Sequence, residues 1–267
     1  PHAMDEGEIG QAIRGFASAA AFAKAAGFTG VQVHGAHGYL VSQFLSPLTN
    51  RRSDRWGGAL DNRARFARTV LAEIRRAVGD EFPIGIKLNS ADFQRGGFTE
   101  DESMRVLGML QEDGVDLVEI SGGSYESRVM LDKAERSREA FFLDYAKRAR
   151  AEVDIPMMVT GGFRGRSIME SALASGALDI VGMARPFTND PRVARDLLDG
   201  RTDRAEAPPG MPGLGRLGGM SEAMMSVAQM ALLAKGKSPR LRFGGLGTVF
   251  SALAKEGGDL FTPKRSG

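Results

Sequence analysis

"VQVHGAHGYLVSQFLSP", residues 31–47, holds two of the three histidines of the chain, His34 and His37, with Tyr39 two residues further on. The run from Gly30 reads as a short buried strand that ends at His34. Two imidazoles three residues apart, on a loop leaving a strand, can converge on one small acceptor. A strand that delivers its chemistry at its C-terminal end suggests a fold, provided that the other strands do the same.

They do. Reading outward, residues 8–28 form an amphipathic helix with Ile9, Ile13, Phe16, Ala20 and Ala23 on one stripe. "LDNRARFARTVLAEIRRAVG" is a helix stopped by Gly79, and "PIGIKLN" is a strand. "TEDESMRVLGMLQEDG" opens on a capping box, Thr99 with Glu102. Strand "DLVEISGG", helix "REAFFLDYAKRARAEV", strand "IPMMVTGGF", helix "GRSIMESALASG", strand "DIVGMARP" and helix "PRVARDLLDG" follow. Near-continuous apolar strands alternating with helices predict a parallel sheet covered by helices. A (β/α)₈ barrel and a doubly wound sheet both fit that pattern. Polar residues and glycines gather after the strands: His34 and His37, Lys87 and Asn89, Ser121 to Gly123, Gly161 and Gly162, Ala184 and Arg185. Function drawn from many strand ends is the barrel signature. No Gly-x-Gly-x-x-Gly follows a first strand, which argues against a dinucleotide Rossmann domain.

Composition narrows the class. The chain has 267 residues, 42% hydrophobic and 25% charged, with a formal net charge of +2. That balance is weak evidence for a nucleic-acid partner, and without a basic patch interleaved with aromatics none is expected. No apolar stretch approaches the ~20 residues that span a bilayer, and no signal peptide is visible. The chain has no cysteine, which removes disulfides, thiolate metal sites and cysteine nucleophiles and fits a reducing compartment. The expectation is a cytoplasmic protein. Beyond about residue 201, a Pro- and Gly-rich arm, a Met-rich helix and a mixed tail read as an extension of residues 201–267. It is expected to pack on the barrel of residues 1–200 or on a partner subunit, so a homo-oligomer is among the expected states.

Several residues carry two readings. "VTGGF" and "VGMARP" combine glycine amides with Arg185 and predict a phosphate grip on the last two strands; the alternative is a tight turn and a surface ion pair. The histidine pair could face a ligand, or one imidazole could bond to backbone in a buried loop. A metal site lacks a third ligand at the right spacing. Tyr39 is a candidate acid or a packed tyrosine. Lys87, in an apolar strand, must face a partner anion or an electron-rich ligand, because burying it unpaired is costly. Asp54, Arg55 and Trp56 read as structural.

"HGAHGYLVSQFLSPLTNRRSDRWGGALDNRARF" resembles the central signature of the Old Yellow Enzyme family of FMN-dependent NAD(P)H oxidoreductases. "GIKLNSADFQRGGFT", "VDLVEISGGSYE", "VTGGFR" and "DIVGMARP" continue the match in order over roughly residues 1–200. The resemblance implies a (β/α)₈ TIM barrel of the FMN-linked type, with FMN at the C-terminal mouth and NADH or NADPH as reductant. It implies that His34 and His37 hydrogen-bond the substrate oxygen and that Tyr39 protonates carbon. Lys87 matches a basic residue, more usually arginine, near the flavin pyrimidine, and Gly161, Gly162, Ala184 and Arg185 match the FMN phosphate grip. Reduction of an enone, quinone or similar small acceptor is the implied activity. In that family the histidine pair follows the fourth strand, whereas here one helix precedes it, so about five of the eight strands are expected. The missing cysteines separate the chain from iron–sulfur relatives. A non-flavin phosphate-binding barrel, such as an aldolase or isomerase, and an inactive fragment or binding module are the alternatives; a flavin absorption band would separate them.

Overall fold

A computed structural model describes residues 2–122, 140–206 and 225–239. The elements run in chain order α1 (Glu6–Ala25), β1 (Val31–Gly35), α2 (Leu40–Leu45), α3 (Leu60–Val78), β2 (Ile84–Asn89), α4 (Glu100–Glu112), β3 (Leu117–Ser121), α5 (Leu143–Glu152), β4 (Met157–Thr160), α6 (Arg166–Ala174), β5 (Ile180–Gly182), α7 (Arg185–Asn189) and α8 (Val193–Leu198). They fall into two compact units, Pro1–Gly162 with Met169–Gly182, and Phe163–Ile168 with Met183–Gly267.

In the first unit the five strands form one parallel sheet in the order β1-β2-β3-β4-β5, as the alternating pattern predicts. Among the described residues β1 pairs only with β2. Side chains alternate across a strand, and here the two faces differ sharply. Val33, Ile86, Leu88, Val118, Ile120 and Val159 are buried at adjacent register positions on one face, and α3 packs near β2 and α5 near β4. The opposite face carries Gln32, His34, Lys87 and Glu119. The strands are therefore not uniformly apolar; every second residue of β1 to β3 is read by a different environment.

α1 and α3 pack together. Both have the buried stripe the sequence predicts, with Ile9, Ile13 and Ala20 on α1 and Phe66, Val70, Ile74 and Val78 on α3. Phe44 stacks on Phe66 at 4.2 Å, and the Trp56 ring meets both edge-on. Trp56 Nε1 donates to Glu6 Oε1 at 2.8 Å, and Arg55 pairs with the same carboxylate. The structural reading of the Asp54–Trp56 turn holds. α1 is capped by Asp5 and Glu8, and α4 by Thr99 and Glu102 in the predicted capping box. α2 is an element the sequence reading missed: six residues are too few for a periodic signal.

The "DIVGMARP" strand needs correction. β5 stops at Gly182, and Arg185 opens the short helix α7 with Ala184 as its N-cap residue. Pro186 explains the switch, since proline suits a first helical turn and cannot donate to a sheet. In the second unit a two-stranded contact ties Gly165 to Arg204, with Ala205 N donating to Arg164 O at 2.8 Å. Residues 225–233 are helical, as expected for the Met-rich stretch. The remainder of the C-terminal extension, 207–224 and 240–267, lies outside the described residues.

Candidate active site

The site is built in rows across the first unit's sheet. The parallel register sets His34 opposite Lys87, and Lys87 opposite Glu119. One level nearer the strand ends, Asn89 stands opposite Ser121. Both rows lie on the face away from the apolar core, so the chemistry is carried by alternation within otherwise apolar strands.

Lys87 has the anion that its position requires. Its Nζ lies 2.9 Å from Glu119 Oε1, while Gln32 Nε2 donates to Glu119 Oε2 at 2.7 Å. Burial alone would raise the Glu119 carboxyl. The Lys87 and Gln32 contacts, with the Lys87 charge, outweigh burial and hold it below the ordinary carboxylate range. Sequence reasoning singled out Lys87 and missed Glu119 and Gln32. The signal was present: each is a polar residue on the same strand face as His34 or Lys87.

His37 sits above the second row. Its backbone adopts φ 62°, a left-handed conformation that few non-glycine residues take. Its N–H donates to Asn89 Oδ1 at 3.2 Å, and its Nε2 lies 2.8 Å from Ser121 Oγ. The His34 ring meets the His37 ring edge-on at 5.3 Å and the Tyr39 ring at 4.9 Å. The two histidines and the tyrosine of the opening motif thus gather in one place, with Lys87 on the neighbouring strand. Tyr39 is 48% exposed, which removes the packed-core reading. Burial, then the Lys87 charge and the second imidazole, push His37 down to about 4. Burial and Lys87 also lower His34. Both rings are neutral near pH 7.

Backbone strain marks the same end of the sheet. The non-glycine residues with positive φ among the described residues are His37, Phe93 and Ala140, which lie in the segments following β1, β2 and β3. Such conformations cluster where surrounding structure holds them for function. After β4, Gly161 and Gly162 have φ of 157° and 78°. A Cβ on Gly161 would approach the Phe142 ring to 2.9 Å, and one on Gly122 would approach it to 2.7 Å. Ser90, between these loops, has a buried hydroxyl with no hydrogen-bond partner among the described residues. Ala184 and Arg185 belong to the second unit, where Thr188 Oγ1 donates to Arg185 O at 2.8 Å. Gly123 lies outside the described residues. No cluster of three or more His, Asp or Glu suited to a metal ion occurs among the described residues, and no described helix is long and apolar enough to cross a membrane.

A parallel α/β sheet with titratable residues and strained loops at its strand C-terminal ends has the layout of the (β/α)-barrel class, with five strands present. The model of the NADH:flavin oxidoreductase / NADH oxidase family matches residues 1–204, and the chain belongs to that family. It is 41% identical over 213 residues to the NADH-dependent flavin oxidoreductase nadA of Aspergillus parasiticus, covering 78% of this chain and 48% of that protein. The structure of a 2-naphthoyl-CoA reductase in complex with 2-naphthoyl-CoA superposes with a TM-score of 0.73 at 33% identity, over 78% of this chain and 32% of that one. The old yellow enzyme homologue from Zymomonas mobilis shares the fold, at 22% identity and a TM-score of 0.63, over 78% of this chain and 56% of that one. The chain thus spans about half the length of the Aspergillus relative and about a third of the naphthoyl-CoA reductase, and its sheet corresponds to part of a barrel.

Proposed function

We propose that this chain forms the substrate-facing part of an FMN-dependent NAD(P)H oxidoreductase that reduces activated C=C bonds or related small acceptors. The observation that carries the reading is the convergence of His34, His37 and Tyr39 beside the cation Lys87. Glycine amides after β4, the buried unpartnered Ser90 hydroxyl and the lysine fit a polyhydroxylated, anionic cofactor with a polar ring. Lys87 would hold the pyrimidine end. The sequence resemblance assigns phosphate binding to Gly161 and Gly162 in the first unit, through backbone N–H groups, and to Ala184 and Arg185 in the second, through a guanidinium.

The reduced flavin, when bound, supplies a hydride. The protein must then hold the negative charge that develops on the acceptor's oxygen. Two imidazole donors on one oxygen do so in an oxyanion-hole role. Tyr39, exposed and in ring contact with His34, delivers a proton to carbon as a general acid. Lys87 keeps its position because it pairs with Glu119, which Gln32 holds in turn. A cytoplasmic location and a homo-oligomeric state belong to the same reading and rest on the sequence alone.

Titration of the protein with FMN, followed by visible absorption and fluorescence quenching, tests the reading. The expected result is a saturable flavin complex that Arg185→Ala weakens by about 1.5–3 kcal/mol, the scale of a hydrogen bond to a charged group. Absence of any complex in the protein carrying all its barrel strands would return the chain to a non-flavin, phosphate-binding role.

A further inference from the structure

A neutral imidazole has one N–H donor and one bare nitrogen, and which nitrogen carries the proton decides what the ring can hold. His37 is the ring for which the surrounding structure makes that choice. Its Nε2 lies 2.8 Å from Ser121 Oγ. Ser121 is 5% exposed, and Nε2 is its hydroxyl's hydrogen-bond partner among the described residues. A buried donor left without an acceptor is rarer and costlier than an acceptor with a spare lone pair. The Ser121 hydroxyl therefore donates and Nε2 accepts, which leaves the ring proton on Nδ1. The backbone of the same residue is pinned by Asn89 Oδ1 at 3.2 Å in its left-handed conformation. Asn89 in turn donates to Asp92 Oδ1 at 3.4 Å. Two neighbouring strands, β2 and β3, thus hold the backbone and the ring of one residue.

We propose that Ser121 is a positioning residue that holds His37 as the Nδ1–H tautomer, so that Nδ1 is the donor His37 offers to a substrate oxygen. The inference rests on the oxyanion role given above, but its first readout does not. Burial, Lys87 and His34 keep the ring neutral at pH 7, with Glu119 acting in the opposite direction, so only one ring nitrogen can donate. If Ser121 were merely filling space, the tautomer would be free to follow solvent.

The test is a long-range ¹H–¹⁵N spectrum of the protein labelled at histidine nitrogen, at pH 7 and without flavin. His37 is expected as the Nδ1–H form. Ser121→Ala should move the tautomer ratio toward Nε2–H by roughly tenfold, the scale of one hydrogen bond, and Ser121→Thr, which keeps the hydroxyl, should restore it. In the flavin-loaded enzyme, Ser121→Ala should slow oxidation of the reduced protein by an enone more than it slows reduction by NADH, and Ser121→Thr should restore the enone rate. An Nε2–H form in the parent protein, or a ratio unmoved by Ser121→Ala, overturns the proposal. The parent spectrum decides even if Ser121→Ala does not fold. A protein that shows the expected tautomer yet binds no flavin leaves the Ser121 assignment standing and removes the oxidoreductase reading instead.

Discussion

The two faces of the sheet are made by the same strands and obey opposite rules. One carries Val33, Ile86, Leu88, Val118 and Ile120, packed out of contact with water. The other carries His34 and the trio Gln32, Lys87 and Glu119, the trio linked by a hydrogen bond and an ion pair. The first face supplies the burial that makes the sheet fold. The second gives up that burial and keeps charged and titratable groups in register, one per strand. Within a single strand such as IGIKLN, moving by one residue exchanges one role for the other.

That contrast can be broken from the apolar side first. Leu88 is fully buried, so Leu88→Ala should cost about 2–5 kcal/mol in urea unfolding, the range for cavity-forming substitutions. On the other face, Glu119→Ala removes the partner of Lys87 and should cost less, about 1–3 kcal/mol, because the lysine keeps partial access to water. Gln32→Ala, on the exposed end of the same network, should fall within about 1 kcal/mol. If Glu119→Ala proved as costly as Leu88→Ala, the polar row would be part of the stabilising core and the division between faces would be wrong.

Acid sharpens the comparison, because only the polar face titrates. His37 is lowered from 6.5 to about 4 on folding, so the unfolded chain takes up a proton that the native ring refuses. Its contribution is complete above pH 6.5 and is lost as pH falls through that window to about 4. Glu119 is lowered from 4.5; its contribution is present above that value and lost below it. Both signs agree. Stability should decline between pH 6.5 and 4 by no more than about 1–2 kcal/mol from His37, after allowance for solvent screening. His37→Gln should flatten that slope, as seen in urea midpoints across the range.

Much of the fold was legible because each helix buries a stripe and each strand is short and bounded, as in the α3 stripe of Phe66, Val70, Ile74 and Val78. The capping box at Thr99 gave a helix start to the residue. α2 and α7 escaped because five or six residues hold no full period. In the site, His34, His37 and Tyr39 were legible as a local motif. Glu119 and Ser121 were harder: their roles depend on register with β2, which a linear reading does not contain. Lys87 announced that a partner must exist without saying which strand provides it.

The central claim is that the polar strand ends form a site where Tyr39 gives a proton to carbon. Stopped-flow oxidation of the flavin-reduced protein by an enone and by a quinone tests it most directly, comparing the parent with Tyr39→Phe. Quinone reduction needs no proton placed on carbon by the enzyme, so its rate should be unchanged. Enone reduction should slow by about 10² to 10⁴, the range of a lost general acid. Equal slowing of both reactions, or of neither, would contradict the proton-donor role and leave Tyr39 as a ring that only orients His34.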